Sequence, residues 1–304
     1  MFLDIGITGP SSDQQSAAVP SALHFIPSFI KPWEIKNERC FTVHYHSISD
    51  DLLLGCADGM KIFSKRTGKV THEMNYPGAA VTEYSGDVFI SLWFQSEKTV
   101  KVYMYNMNNK RQKMLFSFSQ KEPSYLYLSA SAQYVALIGK DNNNIKLCNR
   151  RSVSDHTKQA SDLKVEGLKM IGNLLFLPDG CLLVTGHDNV KDMINKYSIV
   201  SEEEEPVLIW SCDQVPGACG IAVDGRGLIY VSGQKNKTLY ILSAEGKYIT
   251  IKITIISYYV LIMINHKILI IKMMCVAYCR IFTKPSISHC PKYLMKTYNF
   301  HLNK

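Results

Sequence analysis

The chain has 304 residues, is 46% hydrophobic and 20% charged, and carries a formal charge of +8. This is apolar material for one large or two small domains with a real core, and it excludes a disordered or collagen-like chain. The charge is not spread over the molecule: residues 249–304 hold eight Lys and Arg and no acid, which leaves 26 basic and 26 acidic residues in 1–248. A basic face for nucleic acid or an anionic membrane is therefore not a property of the body.

Residues 1–35 read as a linker-like segment. Gly9–Ala18 is rich in Ser, Gln and Ala, and Phe25–Ile35 is apolar but broken by Pro27 and Pro32. Met1–Ile7 is short and carries Asp4, so no secretory signal is expected. The nine cysteines form no C-x-x-C pair, and several, such as Cys56 and Cys181, sit in apolar runs where a thiol acts as a small buried hydrophobe. A reduced, cytoplasmic chain is expected.

From residue 36 onward the chain repeats. Val88–Ser91, Val135–Ile138, Leu182–Thr185 and Ile229–Ser232 are short apolar runs that each start 47 residues after the one before. Leu52–Gly55 is an earlier copy, and Gly139, Gly186 and Gly233 follow the last three runs at one offset. Four strand-like runs are traced in the first unit: Val43–His46, Leu52–Leu54, Met60–Phe63 and Val70–Met74. In the last unit, Asp224-Gly225, Gly233 and Glu245-Gly246 separate apolar runs, the spelling of consecutive hairpins. Four-stranded units of this length recurring along a chain predict an all-β fold, a β-propeller, over 36–248. Five blades are recognisable.

The last unit reads Gly220-Ile-Ala-Val-Asp224, Gly227-Leu-Ile-Tyr-Val231, Leu239-Tyr-Ile-Leu242 and Gly246-Lys-Tyr248, and it resembles an NHL repeat. Leu177–His187 is similar but lacks the aromatic of the second strand. The resemblance covers 172–248 well and 41–171 by pattern only. It implies a propeller of six blades, of the kind found at the C-terminal end of tripartite-motif (TRIM) ubiquitin ligases. The paired Cys and His ligands of their zinc modules are missing from this sequence. The implied role is thus substrate recognition through a protein partner, with no catalysis of its own. Family relatives that bind RNA raise that alternative, which the neutral body disfavours.

Residues 249–304 break the pattern, with no Gly, no acid and twelve Ile. The longest uncharged stretch, Ile253–Asn265, has 13 residues, short of the roughly 20 that a membrane span needs, and no membrane anchor is expected. The alternation in Ile249–Ile255 suits a strand. Ile, Lys, Asn, Tyr, Met and Phe are also the residues of A/T-rich codons, so the segment resembles translated non-coding sequence. A ring ending there is expected to have a poorly capped edge. Cys275, Cys279, His289 and Cys290 have no spacing of a structural zinc site.

In a propeller, the loops joining second and third strands gather at one end. They supply the partner-binding candidates Asp58, Glu97, Lys98, Lys140, Asp141, His187, Asp188, Lys235 and Lys237. Their acids and amides are equally the residues that make turns. Trp93-Phe94 offers a stacking platform if exposed, and core if not. A channel-ion hydrolase using Asp58, Glu97, Asp141 and Asp188 is the enzymatic alternative. No G-x-S-x-G, H-E-x-x-H or P-loop occurs, and no catalytic residue, metal site or cofactor is predicted.

Overall fold

The computed structural model describes residues 3–4, 25–28, 40–46, 48–49, 51–56, 58–64, 67, 69–75, 79–107, 109, 111–120, 127–138, 144–150, 160–224, 227–236, 238–254, 259–264, 267–272 and 299–302. Five four-stranded antiparallel sheets follow one another in chain order. Blade 1 is Cys40–His46, Asp51–Cys56, Gly59–Ser64 and Lys69–Met74. Blade 2 is Ala80–Tyr84, Asp87–Phe94, Thr99–Tyr105 and Gln112–Ser119. Blade 3 is Leu128–Ala130, Tyr134–Ile138, Ile145–Asn149 and Ser161–Leu163. Blade 4 is Met170–Phe176, Leu182–His187, Asp192–Ser198 and Val207–Cys212. Blade 5 is Ala218–Val223, Ile229–Gly233, Thr238–Leu242 and Tyr248–Thr254.

Each strand pairs with its chain neighbour, and the first strand of each blade lies beside the first strand of the next. This is a β-propeller arrangement with the five blades that the repeat marks; the sixth four-stranded blade that the NHL resemblance implies is not found among the described residues, where a two-stranded hairpin follows blade 5 instead. After blade 5, Tyr259–Ile264 pairs with Lys267–Lys272 and lies against the first strands of both blade 5 and blade 1. Asn299–Leu302 sits between Leu3–Asp4 and Phe25–Ser28 in a small sheet that joins the two ends of the chain. The edge expected after blade 5 is thus met by an antiparallel hairpin, which β-branched residues support. Cys275, Cys279, His289 and Cys290 lie outside the described residues.

The repeated apolar runs are explained by burial on two sides. In blade 2, Val88, Ile90 and Leu92 pack with Leu53, Met60 and Ile62 of blade 1, whereas Phe89 and Trp93 pack with Leu128, Val135 and Leu137 of blade 3. In blade 4, Leu182 and Val184 face blade 3 and Leu183 faces blade 5. Successive side chains of a strand point to opposite faces, so a sheet covered on both sides needs an unbroken apolar run. The core of this protein is accordingly a series of layers between blades.

The fourth residue of the repeated run is a hydroxyl in three blades, and in each it satisfies a first strand. Ala80 N donates to Ser91 Oγ at 3.2 Å, Gly220 N donates to Ser232 Oγ at 2.8 Å, and Thr185 Oγ1 donates to the Cys219 carbonyl of the next blade at 3.2 Å. Val81 N to Thr42 Oγ1 at 3.1 Å and Phe176 N to Ser129 Oγ at 2.9 Å make two further links between blades. First strands carry register shifts in blades 1, 4 and 5, and such irregularities release main-chain groups for side-chain partners.

The glycine that follows the run marks close approach. A Cβ on Gly186 would lie 2.3 Å from the Met170 carbonyl oxygen. Tight turns are made differently: Ser85 and Gly86 have φ of 53° and 84° between the paired residues Tyr84 and Asp87, as a two-residue type I′ hairpin requires.

One cysteine departs from the expected reduced state. Cys56 is buried and disulfide-bonded, and its register partner on the adjacent strand is Cys40. Cys148, Cys181, Cys212 and Cys219 are thiols. Burial pushes the Cys181 and Cys212 thiols up, away from the reactive thiolate.

Candidate functional site

Because each blade runs as three hairpins, all connections between second and third strands emerge at one end of the ring, together with the connections between blades. The described ones among the predicted residues therefore lie at one end of the ring. Lys140, Asp141 and Lys237 lie outside the described residues.

The others are occupied locally. Asp58 accepts from Lys61 Nζ at 3.0 Å, and that ammonium, almost fully covered, also lies 3.3 Å from Glu73. Glu97 is 2.7 Å from Lys101 Nζ, whose ammonium sits 4.6 Å from the centroid of the Phe94 ring. The hydrogen bond that Lys101 donates to Glu97 raises the Lys101 pKa. Lys98 is exposed at the turn with φ of 49°, and its carbonyl accepts Gln120 N at 2.7 Å. His187 Nδ1 accepts Asn189 N at 2.8 Å, and Asp188 Oδ1 accepts both Val190 N and Lys191 N at 2.7 Å. These backbone donors hold the Asp188 carboxyl below its usual range. Asp188 thus shapes the blade 4 loop, as the turn-forming reading of these acids has it.

Between blades 4 and 5 the structure brings together charges that the sequence kept apart. Lys235 Nζ lies 2.6 Å from Asp192 Oδ2, which also accepts Gly217 N at 2.8 Å. Lys191 Nζ lies 2.6 Å from Asp213, and this contact lowers the Asp213 pKa and raises that of Lys191. Asp192, Lys191 and Asp213 were not among the predicted residues. Asp192 opens a strand, and Asp213 belongs to a connection between blades, so only the ring places them beside the loops. At the tip of the blade 4 loop, Val190 is 82% exposed, held by the two Asp188 hydrogen bonds and by Asn189 at φ of 87°.

Trp93 is not a stacking platform. It is buried, and its Nε1 donates to the Gln120 carbonyl at 3.1 Å, so it belongs to the layer between blades 2 and 3. Three described acids of the hydrolase alternative, Asp58, Glu97 and Asp188, are each engaged in their own blade. Among the described residues, no three His, Cys, Asp or Glu side chains form a group able to hold a metal ion. No helix among the described residues is long and apolar enough to cross a membrane.

No protein-family model matches the chain, and no curated protein matches its sequence. Solved structures do share its fold. A streptogramin B lyase structure aligns with a TM-score of 0.54 and 9% identity over 84% of this chain and 82% of that one. The selenomethionine-substituted virginiamycin B lyase from Staphylococcus aureus aligns with a TM-score of 0.54 and 11% identity, covering 81% and 82%. Kluyveromyces lactis Hsv2 aligns with a TM-score of 0.51 and 10% identity, covering 77% and 72%. At these identities the likeness is one of fold alone.

Proposed function

We propose that the protein is an interaction module that holds a protein partner on the loop end of its ring, in the manner of an NHL-like recognition propeller of TRIM-type ubiquitin ligases, without catalysing a reaction itself. One observation carries the reading: among the described residues beside the blade 4 loop, Lys235 pairs with Asp192 and Lys191 with Asp213, next to the exposed apolar tip Val190. An apolar point rimmed by neutral polar groups is the anatomy of a protein contact. The same pairing speaks against RNA, because a phosphate backbone is held by unneutralised cations. The two lyase structures supply an enzymatic counter-reading, which requires convergent chemical groups that the local engagement of Asp58, Glu97 and Asp188 does not provide.

The test is affinity capture with the full chain and with Val190→Asp. A partner retained by the wild type through washes at rising salt, and lost by the folded variant, is the expected result. An identical set of proteins on both chains, or recovery of nucleic acid that elutes steeply with salt, overturns it.

A further inference from the structure

The outer edge of blade 4 is unlike the outer edges of blades 1, 2 and 3. Val207–Cys212 ends its sheet, and Val207, Leu208 and Ile209 are 56%, 44% and 49% exposed. Outer strands of blades 1 to 3 carry devices that discourage pairing: Lys69 and Glu73 in blade 1, Gln112 and Lys113 in blade 2, and a strand of only three residues in blade 3. Along Val207, Leu208 and Ile209 no charged side chain interrupts the exposed apolar edge.

The strand is held so that this half faces outward. Trp210 Nε1 donates to the Ala244 carbonyl at 3.1 Å, and its ring packs so closely on Gly246 that a Cβ there would lie 2.6 Å away. Ser211 Oγ donates to Asn195 Oδ1 at 2.6 Å, and Cys212 is buried. The C-terminal half of the strand is thereby fixed to blade 5 and to its own sheet. A register shift at Ile209 bends the edge, which suits a short guest and discourages open-ended stacking.

Four acids precede the strand. Glu202 is anchored to Asn149 N of blade 3, and Ser201 Oγ accepts Glu203 N at 3.2 Å and Glu204 N at 3.1 Å, so the run is folded onto a turn. Glu203, Glu204 and Glu205 are exposed, and among the described residues none of them forms an ion pair. Pro206 joins this negative turn directly to the apolar edge.

We infer that the edge of blade 4, from Glu203 to Ile209, docks an extended segment of a partner protein in which apolar residues are followed by Lys and Arg. The inference rests on the interaction reading above and names a second surface and the chemistry it selects. Main-chain pairing supplies attraction for any strand, the apolar side chains of the guest cover Val207, Leu208 and Ile209, and its basic residues neutralise Glu203, Glu204 and Glu205. Antiparallel alignment puts the basic residues at the C-terminal end of the guest, because the acids lie before the N-terminus of the host strand.

The experiment is fluorescence anisotropy with the full chain and a fluorescein-labelled peptide Thr-Val-Thr-Ile-Thr-Val-Lys-Arg-Lys, compared with the same peptide ending in three Glu. The basic peptide is expected to bind at least tenfold more tightly, with the preference shrinking as salt is raised. Leu208→Lys should weaken it at least tenfold, and Glu203→Lys with Glu204→Lys should remove the preference while circular dichroism stays unchanged. Equal binding of the two peptides, or no binding to folded chain, overturns the inference. Light scattering that shows self-association abolished by Leu208→Lys overturns it too, since the occupant is then a second copy. A captured partner lost by Val190→Asp but kept by Leu208→Lys, with no peptide binding, removes this edge site and leaves the loop-end reading standing.

Discussion

Lys235 Nζ of blade 5 and Asp192 Oδ2 of blade 4 meet at 2.6 Å across a sequence distance of 43 residues. The two partners are unequal. The Asp192 side chain is 17% exposed and also accepts Gly217 N, whereas Lys235 is 63% exposed and has a solvated alternative. Asp192→Ala therefore leaves a backbone donor of the connection between blades without its acceptor and should cost about 1–2 kcal/mol. Lys235→Ala removes an exposed ion pair and should cost less than about 1 kcal/mol. Urea denaturation of both variants checks the order, and equal losses would contradict it.

Two glycines of blade 4 provide a second contrast. Gly186 is hemmed in by the Met170 carbonyl and by Leu168, while Gly180 has φ of 84° and nothing within 4 Å of the place a Cβ would take. Gly186→Ala must push backbone apart between paired strands and should cost about 3 kcal/mol or more. Gly180→Ala meets only conformational strain of about 1–2 kcal/mol. The measurement is the thermal midpoint of each, with the larger drop at Gly186.

His44 lies in the first strand of blade 1, where burial pushes its imidazole down from 6.5 to about 4. Well above pH 6.5, from about one unit higher, the ring is neutral in folded and unfolded chains alike and adds no pH dependence. As pH falls from 6.5 towards 4 the unfolded chain takes the proton first, so stability declines, by at most about 3 kcal/mol. His44→Gln should flatten the fall in thermal midpoint over this window. An unchanged slope would show that other groups carry it.

Cys56 is disulfide-bonded and stands opposite Cys40 in register. Non-reducing digestion with chymotrypsin, which can cut after Phe41 and Tyr45, is expected to yield a single cross-linked species containing both residues, converted to two peptides by reductant. Closing a loop of this length stabilises a chain by about 3 kcal/mol, so reduction should lower the urea midpoint accordingly. Two alkylatable thiols at these positions in the untreated protein would refute the pairing.

Much of the fold was legible because the repeat has a direct physical cause. Val88–Ser91 and its copies alternate between two buried faces, so they had to be apolar throughout, and the hydroxyls of Ser91, Thr185 and Ser232 mark where first strands need a partner. The glycine offset was legible for the same reason. For the candidate site the sequence pointed to loops and not to the contacts made there. Asp188 lies in the loop between the second and third strands of blade 4, where its hydrogen bonds serve its own turn, and the cross-blade acids Asp192 and Asp213 carry no local signal. The Cys56 disulfide was missed because register, not spacing along the chain, sets cysteine pairs face to face.

The sequence by itself determined that this is an all-β chain of repeated four-stranded units with an electrically balanced body and a basic, acid-free end. Those are properties of periodicity and counting, and they act over a few residues at a time. Tertiary structure alone decided which charges neutralise each other, that Trp93 is core, and that Val190 and Val207–Ile209 remain at the surface. It also decided where the chain goes after blade 5: strand Tyr259–Ile264 rests against the first strands of blades 5 and 1, a pleated setting that suits a β-branched, apolar segment. Such choices depend on groups tens to hundreds of residues apart, and only closure of the ring brings those groups within reach.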